Sequence, residues 1–252
     1  MNVRLRSIMK VLVIIPAYNE EESIEKVVDN LVKNTKDQDV QIDYVVINDC
    51  SIDTTELILK EKGLNYVSLP VNLGIGGGVQ TGYRYAVENG YDIAVQMDGD
   101  GQHDPKYIKN IIDPIISGKA DMVIGSRFIE KDGFQSSGLR RVGIKFLSVL
   151  IKLCCGTKVL DTTSGFRATG KKMTEFFSKN YAEDYPEPEA IIAATLNGFK
   201  VEEVPVIMHE RQGGESSINA LKSVYYMIKV SLAIIIYRLG DLRKKGAKEN
   251  GK

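Results

Sequence analysis

From Lys10 to Ile124 the chain alternates short β-branched apolar runs with helical patterns, and few architectures accept that rhythm. Lys10–Pro16 is a run of Val, Leu and Ile closed by proline, as in a central parallel strand. Asn19, followed by Glu20, Glu21 and Glu22, is placed to cap a helix reaching Asn34. Gln41–Asn48 repeats the strand, and Ser51 or Asp53 opens a helix to Lys62. A third strand covers Asn65–Leu69, and Asn72-Leu-Gly-Ile-Gly-Gly-Gly78 reads as a loop before a helix over Val79–Glu88. A strand over Tyr91–Met97, a helix over Pro105–Ser117 and a strand over Asp121–Ile124 complete the series. Such alternation with short loops predicts an α/β fold, a mainly parallel Rossmann-like sheet with helices on both faces. Ligands bind such sheets beyond the carboxyl ends of the strands. Asn19, Asp49, Asn72, Asp98 and Arg127 all fall at those ends and should face one cleft.

After Arg127 the rhythm changes. Residues 129–138 are polar and glycine-containing, which predicts a mobile loop, and Leu139–Cys155 is helical with Arg140, Arg141 and Lys145 near its start. A short segment, Lys158–Leu160, precedes helices over Lys171–Lys179 and from Pro186 to Leu196, where proline suits the first turn. Lys200–Met208 reads as strand pairing split by Pro205, and Glu210–Ser217 as a loop. Ile218–Leu239 is strongly apolar but interrupted by Lys222, Lys229 and Arg238. Its longest uncharged run, Val230–Tyr237, is eight residues, against roughly 20 needed to span a bilayer. The expectation is an amphipathic helix lying in the membrane surface. From Arg238 to Lys252, six Lys/Arg face Asp241 and Glu249, a balance of +4 that favours an anionic leaflet. The plainer alternative is a core helix with a solvated tail.

Lys+Arg and Asp+Glu each number 33, which argues against a chain-wide field for nucleic acid. Cys50, Cys154 and Cys155 are too few and too badly spaced for a disulfide framework or a zinc site, which points to a reducing compartment. Arg4, Arg6 and Lys10 lead into an apolar run, Val11–Ile15, too short for a signal peptide, so no secretion signal is expected.

The chemistry concentrates at Asp98-Gly99-Asp100. The strand before it delivers two carboxylates onto a glycine-loosened turn, and Gln102 adds a neutral oxygen. Hard cations such as Mg²⁺ or Mn²⁺ prefer such oxygens and complete their shell with substrate phosphates. The plainer reading is a polar strand-to-helix turn with Asp104 as N-cap.

Seven motifs, in order, resemble those of family 2 inverting glycosyltransferases. They are Pro16-Ala-Tyr-Asn-Glu-Glu21, Asn48-Asp-Cys-Ser-Ile-Asp53, Asn72-Leu-Gly, the Asp98-Gly-Asp100 turn, Gly125-Ser-Arg-Phe128, Ser164-Gly-Phe-Arg167 and Arg211-Gln-Gly-Gly-Glu-Ser216. The nearest group is the dolichyl-phosphate mannose synthase and polyprenyl-phosphate glycosyltransferase branch, and the resemblance runs from Lys10 to Ser217. It implies a GT-A glycosyltransferase domain over residues 1–217, followed by a membrane-interfacial helix and basic tail over 218–252. The implied reaction moves a hexose from a nucleotide-diphosphate sugar, UDP being expected, onto polyprenyl phosphate with inversion, for cell-envelope glycan synthesis. The enzyme would sit peripherally on the cytoplasmic face of the membrane, with a separate small membrane protein anchoring it or flipping the product.

The resemblance also assigns residues. Pro16, Tyr18, Glu20 and Asp49 become nucleoside contacts, Asp49 accepting hydrogen bonds from uracil N–H or ribose hydroxyls; Glu20 reads otherwise as a first-turn helix acid. Asp98, Asp100 and Gln102 would hold the Mg²⁺ or Mn²⁺ that neutralises the departing nucleotide. Arg211 would meet the donor diphosphate, and Arg127, with Ser164 and Arg167, the acceptor phosphate; either arginine could instead pair with a surface carboxylate. One departure is Ile75, where the mannose synthases carry a basic residue. It leaves the Gly74–Gly78 loop only backbone N–H groups to offer a phosphate.

Transfer to a hydroxyl needs a carboxylate base, whereas a phosphate monoester is its own nucleophile. Glu189, nine residues before Gly198, matches a family glutamate and is expected near the sugar or acceptor, with Glu187 beside it. Both read otherwise as helix-start acids. Two alternatives stand: transfer to a hydroxyl of a wall polysaccharide or teichoic acid with Glu189 or Glu187 as base, and a catalytically silent membrane scaffold. A sugar nucleotidyltransferase would want a glycine-rich loop where this chain has Pro16-Ala-Tyr-Asn19.

Overall fold

A computed structural model describes residues 9–36, 40–210 and 220–250. The strands are β1 (Lys10–Ala17), β2 (Gln41–Asn48), β3 (Tyr66–Ser68), β4 (Ile93–Gln96), β5 (Met122–Ser126), β6 (Arg167–Gly170) and β7 (Val201–Pro205). They form one sheet in the order β3-β2-β1-β4-β6-β5-β7. β1 lies parallel between β2 and β4, with Val11 opposite both Ile42 and Ile93.

The helices are α1 (Ile24–Thr35), α2 (Thr55–Glu61), α3 (Gly74–Glu88), α4 (Ile108–Ile116), α5 (Gly138–Cys155), α6 (Lys171–Phe177), α7 (Pro186–Leu196) and α8 (Ala220–Asn250). The period of two along β1 sorts the core into two layers. Val11, Val13 and Ile15 join Ile24, Val28, Leu59 and Ile111 on the α1, α2 and α4 side. Leu12 and Ile14 join Val79, Tyr83, Leu147 and Ile191 on the α3, α5 and α7 side. Burying each such aliphatic side chain stabilises the sheet by about 1.5–3 kcal/mol. This is the expected α/β sandwich with helices on both faces.

Four differences from the sequence reading have a clear physical reason. β6 runs antiparallel to both neighbours, with Val95 opposite Ala168 and Val123 opposite Ala168. Arg-Ala-Thr-Gly lacks the apolar run that marks the other strands, so pattern alone missed it. Helix α1 starts at Ile24, because the Asn19 side chain accepts from the Ile52 N–H across the loops instead of capping a helix. Helix α3 starts at Gly74, and its glycines serve close packing: a Cβ on Gly76 would lie 2.0 Å from the Ala182 carbonyl oxygen. The Gly76 N–H already donates to the Glu183 carbonyl, so that backbone donor is not available to a phosphate. Helix α8 continues past Leu239 to Asn250, since no proline interrupts it. Among the described residues no helix is long and apolar enough to cross a membrane. As expected from Pro205, β7 stops there, and Met208 then makes separate bridges to His103 and Gly133.

Candidate active site

The loops at the carboxyl ends of β1 and β2 are tied together. The Asn19 N–H donates to the Ser51 hydroxyl, and Glu21 accepts from the Thr54 N–H and hydroxyl. Asn19 and Cys50 both hold positive φ, 56° and 58°, a costly backbone that persists where surrounding contacts over-determine it. Asp49 is buried at the tip of β2, its carboxylate accepting from the Leu73 N–H at 2.7 Å and so fixing the start of α3. Tyr18, the residue after β1, is 45% exposed. Pro16 and Glu20 both approach Gly99: a Cβ there would lie 3.1 Å from the Pro16 carbonyl oxygen and 3.6 Å from the Glu20 Cγ. The four expected nucleoside contacts therefore line the β1 and β2 edge, with two of them against the carboxylate turn.

That turn is held from several directions. The buried Gln96 amide donates to Asp98 Oδ1 at 3.2 Å, and the Asp98 N–H donates to His103 Nδ1 at 3.0 Å. The His103 ring stacks on Phe166, centroids 5.0 Å apart. Asp100 is buried and accepts from the Gln102 N–H at 3.0 Å. Asp104 also caps the 3-10 turn before α4, accepting from the Lys106 N–H. Burial raises the Asp104 pKa, but its bonds from Lys106 and His209 outweigh this and hold it below the usual value.

His209 was not singled out by sequence; its only signal was its position two residues before Arg211. Its N–H donates to the Gln102 carbonyl at 2.9 Å, and the Gln102 side-chain amide donates back to the His209 carbonyl at 3.3 Å. Gln102, expected as a third metal ligand, thus turns its amide toward the segment after β7.

The opposite wall is residues 161–167. Gly165 presses on the turn: a Cβ there would lie 2.6 Å from Asp98 Oδ2. Arg127, expected at the acceptor phosphate, is instead clamped by Asp161. Its Nε and Nη2 each donate to the carboxylate at 2.7 Å, and its backbone N–H donates at 3.2 Å. Asp161 is fully buried and Arg127 6% exposed. Arg167 is 1% exposed and donates to the carbonyls of Thr162, Ser164 and Glu187. The buried Ser164 hydroxyl accepts from the Phe166 N–H. These three residues build the wall, and each bonds to protein there. Arg211 lies outside the described residues.

Glu187 and Glu189 part company. Burial pushes the Glu187 carboxyl up; Arg167 opposes this and the Asp98 charge adds to it. Glu189 is also raised by burial, but its charged neighbours are Asp184 and Lys229, on the α8 side. Arg140, in the first turn of α5, is exposed. It stands where the wall meets α5.

Among the described residues, no three His, Cys, Asp or Glu side chains form a metal cage. Mg²⁺ and Mn²⁺ do not need one, since they take one or two carboxylates and leave positions for water and substrate phosphates. Half-buried Asp98 and buried Asp100, flanking Gly99 on one turn, are such a donor pair, so these residues fit a hard divalent ion.

Residues 12–177 match the model of Glycosyl transferase family 2. The chain belongs to that family. It is 34% identical over 216 residues to a UDP-N-acetylglucosamine–dolichyl-phosphate N-acetylglucosaminyltransferase of Methanococcus voltae, covering 78% of this chain and 84% of that protein. It is 28% identical over 240 residues to a polyprenol monophosphomannose synthase of Mycolicibacterium smegmatis, covering 90% and 88%. Among solved structures, glucosyl-3-phosphoglycerate synthase of Mycobacterium tuberculosis with Mn²⁺, UDP-glucose and phosphoglyceric acid superposes with a TM-score of 0.68 at 22% identity, over 92% of this glycosyltransferase and 80% of that chain. The same protein has been crystallised with Mg²⁺ and UDP. The glycosyltransferase therefore shares the GT-A-type fold.

Proposed function

We propose that this glycosyltransferase moves a hexose from a UDP-sugar onto polyprenyl phosphate, with inversion, at the cytoplasmic face of a membrane to which it binds peripherally. The observation that carries this reading is the outer face of α5. Its first turn carries Arg140 and Arg141, and Val142, Phe146, Val149 and Leu153 form an exposed apolar stripe behind them. That is the layout required by a ligand with a phosphate head and a hydrocarbon tail. The relatives named for dolichyl-phosphate and polyprenol substrates support it.

In this reading Pro16, Tyr18, Glu20 and Asp49 receive the nucleoside, and Asp98 and Asp100, with Gln102 on the same turn, hold Mg²⁺ or Mn²⁺. When bound, that ion neutralises charge on the leaving diphosphate, and Arg211 would reach the same group. The acceptor phosphate oxygen forms the new bond to the anomeric carbon as the bond to the diphosphate breaks on the opposite side. The phosphate is already anionic, so no base is required. Residues 161–167 orient the reacting groups, and a small membrane protein would anchor the enzyme or flip its product.

One observation favours a second reading, transfer to a saccharide hydroxyl: Glu187, whose backbone carbonyl accepts from Arg167 of the wall, has a raised carboxyl suited to a general base. A panel of nucleotide sugars with undecaprenyl phosphate or saccharide acceptors separates the two. Lipid-linked product that disappears with EDTA, returns with Mg²⁺ or Mn²⁺ and survives in Glu187→Gln is expected. Product on saccharides alone, abolished in Glu187→Gln, would replace the first reading by the second.

A further inference from the structure

Two helices expose apolar stripes on one outer surface. On α5, Val142, Phe146, Val149 and Leu153 recur at intervals of four, three and four residues and are all exposed, Leu153 by 80%. On α8, Tyr225, Ile228, Leu232, Ile236 and Leu239 recur at three, four, four and three, with Ile236 65% exposed. These spacings keep each set on one helical face. Each stripe lies opposite the residues its helix buries, Ile144, Leu147 and Ile151 on α5 and Val230 and Ile234 on α8. The helices meet flank to flank, where a Cβ on Gly143 would lie 3.1 Å from the Met227 sulfur. Both stripes are therefore exposed on helices that touch.

Charge selects the occupant. Helix α5 carries Arg140, Arg141, Lys145 and Lys152 and no acidic residue. A second copy of this face would bring like charges together, and a neutral apolar partner would leave them without counter-charges. A leaflet of anionic lipid satisfies both features, burying the stripes at the acyl boundary and drawing the cations to headgroup phosphates.

We infer that α5 is a second membrane-binding element, inserting Val142, Phe146, Val149 and Leu153 beside α8 into an anionic bilayer surface. The inference rests on the proposed reading only in taking the membrane as the workplace, and it assigns the docking to a helix inside the catalytic domain. Docked this way, the first turn of α5 and its Arg140 come to lie at headgroup depth.

The chain has no tryptophan, so one introduced residue reports alone. Full-length Phe146→Trp should shift its emission to the blue, and be quenched by brominated acyl chains, on vesicles of phosphatidylcholine with phosphatidylglycerol. Leu57→Trp, exposed on α2 away from this surface, should do neither. Phe146→Ser/Val149→Ser/Leu153→Ser should weaken vesicle co-sedimentation about tenfold or more while keeping the parent's circular dichroism spectrum and melting temperature. Unshifted indole emission from Phe146→Trp on vesicles that bind the protein would overturn the inference. So would wild-type co-sedimentation of the triple variant, or its conversion from dimer to monomer with vesicle binding unchanged. Vesicle binding is read without donor or acceptor, so failure of the proposed reaction would show separately, as absent transfer by an enzyme that still docks.

Discussion

Replacing Asp161 with Asn removes one charge from a pair that the fold has taken out of water. Asp161 is fully buried, Arg127 is 6% exposed, and two bonds of 2.7 Å join them, with the Arg127 N–H as a third donor to the same carboxylate. Asparagine keeps the shape but points an NH₂ group at guanidinium donors and leaves a buried cation uncompensated. Breaking such a pair costs about 3–5 kcal/mol. In a protein of this size about 1 kcal/mol moves the melting temperature by about 2–4 °C, so a fall of about 6–20 °C is expected. Thermal and urea unfolding followed by circular dichroism would measure it. The apolar double variant Arg127→Met/Asp161→Leu should recover most of the loss, because replacing both partners of a buried pair is often neutral. A loss below about 1 kcal/mol in Asp161→Asn, the range of exposed pairs, would refute the reasoning, as would a double variant no more stable than the single one.

Gly76→Ala would place a methyl group 2.0 Å from a backbone carbonyl that cannot rotate away, and overpacking of this kind costs about 1–3 kcal/mol; an unchanged urea midpoint would count against the α3 packing described. Burial, reinforced by Asp98, raises the Glu187 pKa above 4.5 in the folded state, so the native protein holds that proton more tightly than the unfolded chain does. This contribution is full below pH 4.5 and is lost as pH rises through the folded pKa. Glu187→Gln should therefore be more stable than the parent at neutral pH, with the difference shrinking in acid; equal stability curves against pH would contradict the assignment.

The central strands were legible because Val, Leu and Ile crowd into runs that only a doubly covered sheet can bury. Asp98 and Asp100 were legible as two carboxylates on the turn that ends a buried strand, where the structure half-buries the first and buries the second. What escaped the sequence depended on partners far along the chain. Arg127 looked like a phosphate ligand until Asp161, 34 residues away, took its fork. Glu187 and Glu189 are two residues apart, and a helix points such neighbours to different faces. No local pattern tells which carboxyl feels the charge of Asp98 and which feels those of Asp184 and Lys229. The glycines of α3 suggested a loop by propensity, while the chain uses them to admit the backbone of residues 182 and 183.

The antiparallel placement of β6 carries a further consequence. Because β5 leaves the sheet and β6 returns at one edge, the chain between them departs and comes back through nearly the same point, the Gly125 N–H bonding the Phe166 carbonyl at 2.8 Å. An excursion with joined ends can lengthen, shorten or be exchanged at small cost in closure entropy, since each doubling of length adds only about 0.6 kcal/mol. Residues 127–165 thus behave as a replaceable cassette that carries α5 and most of the wall, while the strands that present Asp49, Asp98 and Asp100 belong to the frame. Evolution can exchange the α5 cassette without rebuilding the strands that carry these three carboxylates.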